Sequence, residues 1–277
     1  MKTILIPTDF SNHANNALKY ANEFAKAINN KIVLLHVYIP LVGKYNSIPG
    51  IVAEDVAIEK KNSEKKLEKA RSKYLKAPCS ELVKIGDPID EIIETAQNSK
   101  SQLIIMGTHG ASGLKQILFG SNTSDVISKS NIPVLAIPQR YRFEKINTIV
   151  YASDLNNTMN ELKHIIPIAK QLDANIEVLN LNYIYNLTND KKLLIEKKIK
   201  ALSYKKIKLI EQKATIEQTM IEQIKQYLVK RKPQIVVMFP EDKAWFDKLL
   251  ISSKTEELAN QLKLPLLSIR KAIVKTK

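Results

Sequence analysis

At 277 residues with 44% hydrophobic side chains, the chain is long enough for two ordinary domains with real cores, which excludes a disordered or fibrous protein. Its single cysteine, Cys79, excludes an internal disulfide framework, fits a reducing compartment and reads as a small buried or half-buried hydrophobe. The formal charge of +15 raises the question of nucleic acid, taken up below with the segment that carries it. The opening run Met1 to Asp9 is too short for a signal peptide and breaks at Pro7. The longest apolar stretch, residues 32–42, is interrupted by His36 and Pro40 and falls short of the roughly 20 residues of a membrane span. These features read as a soluble, cytoplasmic protein.

Taken in chain order, short runs rich in Ile, Val and Leu alternate with longer amphipathic ones. Residues 3–6, 32–37, 81–85, 103–106 and 134–137 are strand-like, and between them residues 12–28, 52–76, 88–97 and 121–130 carry helical patterns. The third helix opens on Asp87 and Pro88, a capping residue followed by proline at the first helical position. Residues 39–50 read as a connection. Continuously apolar strands alternating with helices predict an open parallel sheet covered on both faces, an α/β, Rossmann-like layout. In such sheets ligands bind outside the carboxyl ends of the strands where the strand order reverses, here just after the first and fourth strands.

The second half repeats the first. Residues 2–10 (KTILIPTDF) match 147–155 (NTIVYASDL), and 24–37 (FAKAINNKIVLLHV) match 168–181 (IAKQLDANIEVLNL). Residues 102–106 (QLIIM) match 234–238 (QIVVM), and 132–137 (IPVLAI) match 264–269 (LPLLSI), both at an offset of 132 residues. The reading is two copies of one domain, residues 1–140 and 145–271, each with an open five-stranded parallel sheet. Much of the excess positive charge lies in residues 191–213, where Leu193, Leu194, Ile199, Leu202, Ile207 and Leu209 recur at roughly helical spacing. The lysines there read as the solvated face of a helix. No helix-turn-helix, zinc-ligand set or aromatic RNA-binding string accompanies them, which makes nucleic acid the weaker reading.

The fourth strand of the first copy runs into residues 107–123, GTHGASGLKQILFGSNT. Gly107, Gly110, Gly113 and Gly120 are four of the chain's seven glycines. Glycine lets backbone N–H groups approach a phosphate closely, and Gly120 hands over to a helix at Ser121 whose free N–H groups favour an anion. Ser121 and Thr123 add hydroxyls at the same end. The spacing Gly-x-x-Gly, nine residues, then Gly-Ser resembles the nucleotide-binding universal stress proteins, and Gly107, Gly110, Gly120 and Ser121 fill it. The opening ILIPTDFS, residues 4–11, resembles that family's first strand and following aspartate.

The resemblance implies the adenine nucleotide alpha hydrolase-like form of the fold and an ATP site. Thr8 and Asp9 would lie beside adenine and ribose, Val37 would pack on the adenine, and Met106 and Gly107 would border base and ribose. His109, Gly110, Gly120, Ser121 and Thr123 would surround the phosphates, bridged by Mg2+. Alone, Asp9 would read as a helix cap, and His109 as a loop histidine. The family's pairing implies an internal pseudo-dimer, with the fifth strands near the contact; the sequence leaves homodimerisation of whole chains open. At the matching positions of the second copy stand Phe239, Asp242, Trp245 and Ser252 for the four glycines, with Pro240 removing a backbone donor and Glu241 adding negative charge. Asp154, Ser253 and Thr255 remain as helix-capping remnants, and the second copy is expected to hold no ATP.

Other signals are sparse. Gly43-Lys44 lacks a Walker frame, and His13, His36 and His164 are not at metal-ligand spacing. Ser121 has no evident base, and no catalytic residue or protein metal site is identified, so a sensor or regulator is favoured over a slow ATPase. A non-nucleotide pairing module is the other alternative, against which the intact glycines of the first copy argue.

Overall fold

The computed structural model describes residues 1–39, 49–108, 121–182, 189–240 and 264–271. It divides into two compact units, Met1–Phe143 and Glu144–Lys277. In the first, β1 (Thr3–Pro7), α1 (Asn12–Ala27), β2 (Lys31–Tyr38), α2 (Pro49–Tyr74), β3 (Cys79–Ile85), α3 (Pro88–Asn98), β4 (Ser101–Gly107), α4 (Ser121–Lys129) and β5 (Val134–Ile137) follow one another. The strands lie in the order β3-β2-β1-β4-β5, all parallel. The central strands are apolar on both faces, with Ile4, Leu5, Ile6, Leu34, Leu35, Ile104 and Ile105 fully buried. This is the expected α/β layout.

The second unit contains β6 (Thr148–Ala152), α5 (Thr158–Leu172), β7 (Asn175–Asn182), α6 (Asn189–Ala201), β8 (Ile207–Lys213), α7 (Met220–Arg231), β9 (Ile235–Met238) and β10 (Leu266–Ser268). Its strands take the order β8-β7-β6-β9-β10, again parallel. Counted within each unit, both sheets run third, second, first, fourth, fifth. The backbone punctuation recurs as well. Left-handed residues stand at Phe10 and Leu155 after the first strand, Asn29 and Asp173 after the first helix, and Lys100 and Lys232 before the fourth strand. Each pair occupies matching positions of the two half-sequences.

Local chemistry explains most boundaries. Asp87 caps α3 by accepting from the amides of Ile89 and Asp90 at 2.9 and 3.1 Å, with Pro88 at the first turn. Helix α2 starts at Pro49, three residues earlier than expected, because proline is pre-shaped for a first turn. Strands β3 and β4 begin two residues before their apolar runs, since pairing continues through Cys79 and Ser80 opposite Ile32 and Val33, and Ser101 opposite Thr3.

Two expectations fail. Asp154 does not cap α5, whose N-cap is Asn157, and instead accepts from the Asn156 amide and pairs with Lys271. Residues 191–213 are not a single helix: α6 ends at Ala201, and Ile207 and Leu209 belong to β8, paired with Ile176 and Val178 of β7. Leu193 and Leu194 are 62% and 51% exposed, while Ile195 and Ile199 carry the buried face. A segment of alternating Ile, Lys and Leu satisfies helical and strand periods almost equally, and the neighbouring strand decided. Cys79 is half-buried, and burial, with Glu81 beside it, pushes its thiol up to about 11, an unreactive group at neutral pH. Among the described residues no helix is long and apolar enough to cross a membrane.

Candidate functional site

The site is built where the strand order reverses. From β1 the chain crosses to β2 on one side, whereas β4 pairs with the other side of β1, so the carboxyl ends of β1 and β4 diverge into separate connections. Thr8 and Asp9 stand at the end of β1, and Met106, Gly107 and Thr108 at the end of β4. Each strand continues one bond beyond its last residue: the Thr8 amide donates to the Leu35 carbonyl at 2.8 Å, and the Thr108 amide to the Ile137 carbonyl at 3.0 Å.

The turn after β1 is over-determined. The buried Thr8 hydroxyl accepts from the Phe10 amide at 3.1 Å, and Asp9 Oδ1 accepts from the Ser11 amide at 3.0 Å. Ser11, not Asp9, caps α1, accepting from the Ala14 amide at 3.2 Å. This leaves the exposed Asp9 carboxylate outside the helix proper. Phe10 is held left-handed at φ 63°, a conformation costing a bulky residue roughly 1–2 kcal/mol. The Asn15 amide donating to its carbonyl at 3.1 Å and the His36 ring 4.4 Å from its own hold it there.

His36 is a participant that spacing along the chain did not single out. Its Nδ1 lies 2.8 Å from the Thr8 carbonyl oxygen, and because a carbonyl can only accept, Nδ1 carries the proton. The contact joins β2 to the β1 turn, residues 28 apart, so no local pattern announces it. Val37, the next residue of β2, is half-buried beyond the end of its pairing with β1.

Gly107 is required by packing. A Cβ there would lie 2.9 Å from the His13 carbonyl oxygen and 3.1 Å from its carbon, because the first turn of α1 passes directly over β4. On the other side, Thr123 donates its hydroxyl to the Gly107 carbonyl at 2.8 Å and is 4% exposed. The one hydroxyl proton of Thr123 therefore points into the protein and ties the first turn of α4 to β4. Ser121, the first residue of α4, is exposed. The structure thus brings Thr8, Asp9, Val37, Met106, Gly107, Ser121 and Thr123 to one edge of the sheet. His109, Gly110, Gly113 and Gly120 lie outside the described residues.

The same edge of the second unit is furnished differently. The Ser153 amide bonds the Leu179 carbonyl at 2.9 Å, and the Asn180 side chain donates to the Ser153 carbonyl at 3.0 Å, in the place of His36. Phe239, at the position of Gly107, sets its ring 5.4 Å from that of Tyr151, edge to face. The Tyr151 hydroxyl donates to the buried Glu161 carboxylate and accepts from Ser153 Oγ at 2.9 Å. Lys271 Nζ reaches Asp154 Oδ2 at 3.4 Å, and its amide donates to the Pro240 carbonyl at 3.1 Å. Burial pushes the Asp154 carboxyl up, but the Asn156 amide and Lys271 together outweigh it and hold it below the usual carboxylate range. Glu161 moves the opposite way: burial raises it, against Lys271. Lys271 and Phe239 lie far along the chain from the residues they meet, and only the fold joins them.

Residues 1–138 match the universal stress protein family. A universal stress protein of Methanocaldococcus jannaschii is 33% identical over 155 residues, covering 50% of this chain and 96% of that protein. A universal stress protein of Bacillus subtilis is 32% identical over 143 residues, covering 48% of this chain and 97% of that protein. Among solved structures, a universal stress protein from Archaeoglobus fulgidus shares the fold over 97% of this chain and 96% of its own, with a TM-score of 0.66 at 18% identity.

Proposed function

Because the chain belongs to the universal stress protein family, we propose that it binds ATP at the carboxyl edge of its first sheet and acts as a stress-response sensor or regulator through that occupancy. The observation that carries the reading is the framing of the glycine motif. Its first residue, Gly107, ends β4, its last, Ser121, opens α4, and the Thr123 hydroxyl bond to the Gly107 carbonyl at 2.8 Å clamps the two ends together. A glycine-rich segment held at both ends beside a helix N-terminus suits phosphate groups. In this reading the Asp9 carboxylate accepts from the ribose hydroxyls, Val37 and Met106 wall the adenine, and Gly110, Gly120, Ser121 and His109 face the phosphates. Thr123 then acts by fixing the frame.

In this reading Mg2+ is carried by the nucleotide phosphates. The second unit is read as a copy of the same domain without a nucleotide site, supported by the shared strand order and the three matched left-handed positions. Phe239 there takes the place of Gly107, and Lys271 already satisfies Asp154. The family resemblance further carries an intrachain pairing of the two copies.

The test is nucleotide content. Protein purified without added nucleotide is denatured and its supernatant resolved by ion exchange, beside a Gly120→Val variant, and both are titrated with ATP and Mg2+. About one adenine nucleotide per chain, lost in the variant, is expected. Two per chain would overturn the reading of the second unit. No nucleotide and no binding on titration would overturn the ATP site and favour a pairing module.

A further inference from the structure

A separate cavity of about 650 Å³ lies in the first unit, against the outer face of α1 where the chain leaves β5. Its walls include Tyr20, Tyr141 and Phe143, and its charged lining is Lys19, Arg140 and Arg142, with Glu23 the one acid. Tyr20 packs its ring 5.3 Å from Phe143 and 6.1 Å from Tyr141. Glu23 already accepts from Lys26 at 3.0 Å and from Asn22 at 2.6 Å, so its charge is answered outside the cavity. Neither guanidinium pairs with a carboxylate among the described residues.

The segment carrying the arginines is held in place. The Asn16 side-chain amide donates to the carbonyls of Pro138 and Tyr141 at 3.2 and 3.1 Å, and the Tyr141 amide closes a turn onto Pro138 at 3.1 Å. Within that clasp Arg140 adopts a left-handed backbone, φ 68°, unfavourable for a side chain of its kind. Its strain is maintained by the surrounding bonds, the condition under which strained residues persist at functional positions. A volume within the range of small-molecule sites, aromatic walls and two guanidinium groups beside one committed acid define the occupant by chemistry.

We propose that this cavity is a second binding site, for a small molecule that joins an aromatic ring to a phosphate, sulfonate or carboxylate group. The ring packs against Tyr141 and Phe143, and the anion meets Arg140 and Arg142, while the Lys19 ammonium sits over the Tyr74 ring outside the cavity. The cavity shares no lining residue with the carboxyl-edge site, and the assignment does not depend on ATP binding there.

The test is calorimetric titration of the full chain with phenyl phosphate, with and without saturating ATP and Mg2+, alongside inorganic phosphate. The Arg140→Gly/Arg142→Ala double variant removes both guanidinia while glycine preserves the left-handed backbone, and thermal unfolding checks its fold. Charge reversal by Arg142→Glu alone gives a second variant. Saturable binding of one phenyl phosphate per chain, weakened about tenfold or more in both variants and weaker for inorganic phosphate, is expected. No saturable binding, or an unchanged Kd in the folded variants, would overturn the proposal. Competition by ATP that also needs the arginines would support this cavity while counting against the carboxyl-edge reading.

Discussion

At Gly107 the family motif and steric necessity coincide. The residue matches the first glycine of a phosphate pattern, yet the backbone of His13 alone, 2.9 Å from where a Cβ would stand, excludes any other side chain. The His13 carbonyl atoms are main chain and a Cβ is fixed by its own backbone, so neither can turn aside. Gly107→Ala is therefore expected to lower stability by about 1–3 kcal/mol, the usual penalty for overpacking, whether or not nucleotide is present. Chemical denaturation in ATP-free buffer measures this directly; a loss seen only with nucleotide would put the requirement in the ligand instead. The same scale shows a limit of reading along the chain. Asp9 was paired with the motif from sequence, but the ligation of its turn by His36 was not, because that bond joins neighbouring strands.

Between elements, the joint of β4 and α4 is the part on which the candidate site depends. Thr123 spans it with a buried hydroxyl bond to the Gly107 carbonyl. Thr123→Val keeps the shape and removes the donor, and is expected to cost about 1 kcal/mol in unfolding, while Thr123→Ser retains most of it. Equal stability of the Val and Ser variants would show that the bond does not hold the joint. Elements with local signals are legible in the sequence: the Asp87-Pro88 start of α3 and the apolar strands β1 and β5 stand where their residues place them. The α6–β8 segment is not, because its alternating Ile, Leu and Lys fit two periods. Pairing of Ile207 through Lys213 with β7 settled the matter.

At the scale of the whole molecule, the excess of basic residues makes acid titration informative, and two carboxylates of the second unit respond in opposite senses. Asp154 is depressed in the folded state, so its contribution to stability is present above its unfolded pKa, about 4, and is lost as pH falls through the lower folded value. Asp154→Asn should thus destabilise at pH 7, with the gap to the parent closing in strong acid. Glu161 is raised by burial, so its protonated form is the one folding favours. That contribution is present below about pH 4 and is lost as pH rises through the folded value. Glu161→Gln, which imitates the protonated form, should gain on the parent as pH rises. Urea unfolding of both variants across pH 3–8 checks the signs; parallel curves would mean that neither carboxyl is coupled to folding.

The sequence alone determined the α/β class, the repeat of apolar strands at matched positions and the glycine motif with its aspartate, because each is written in neighbouring residues or in a constant offset. Tertiary structure decided what those residues meet. It set α1 so close over β4 that Gly107 must be glycine, turned the Thr123 proton inward, carried His36 to the Thr8 carbonyl, and brought Phe239 and Lys271 to the edge of the second sheet. These are contacts between elements whose separation along the chain says nothing about their distance in space. Local periodicity and capping act over a few residues, whereas close packing joins whichever surfaces the parallel crossovers bring together.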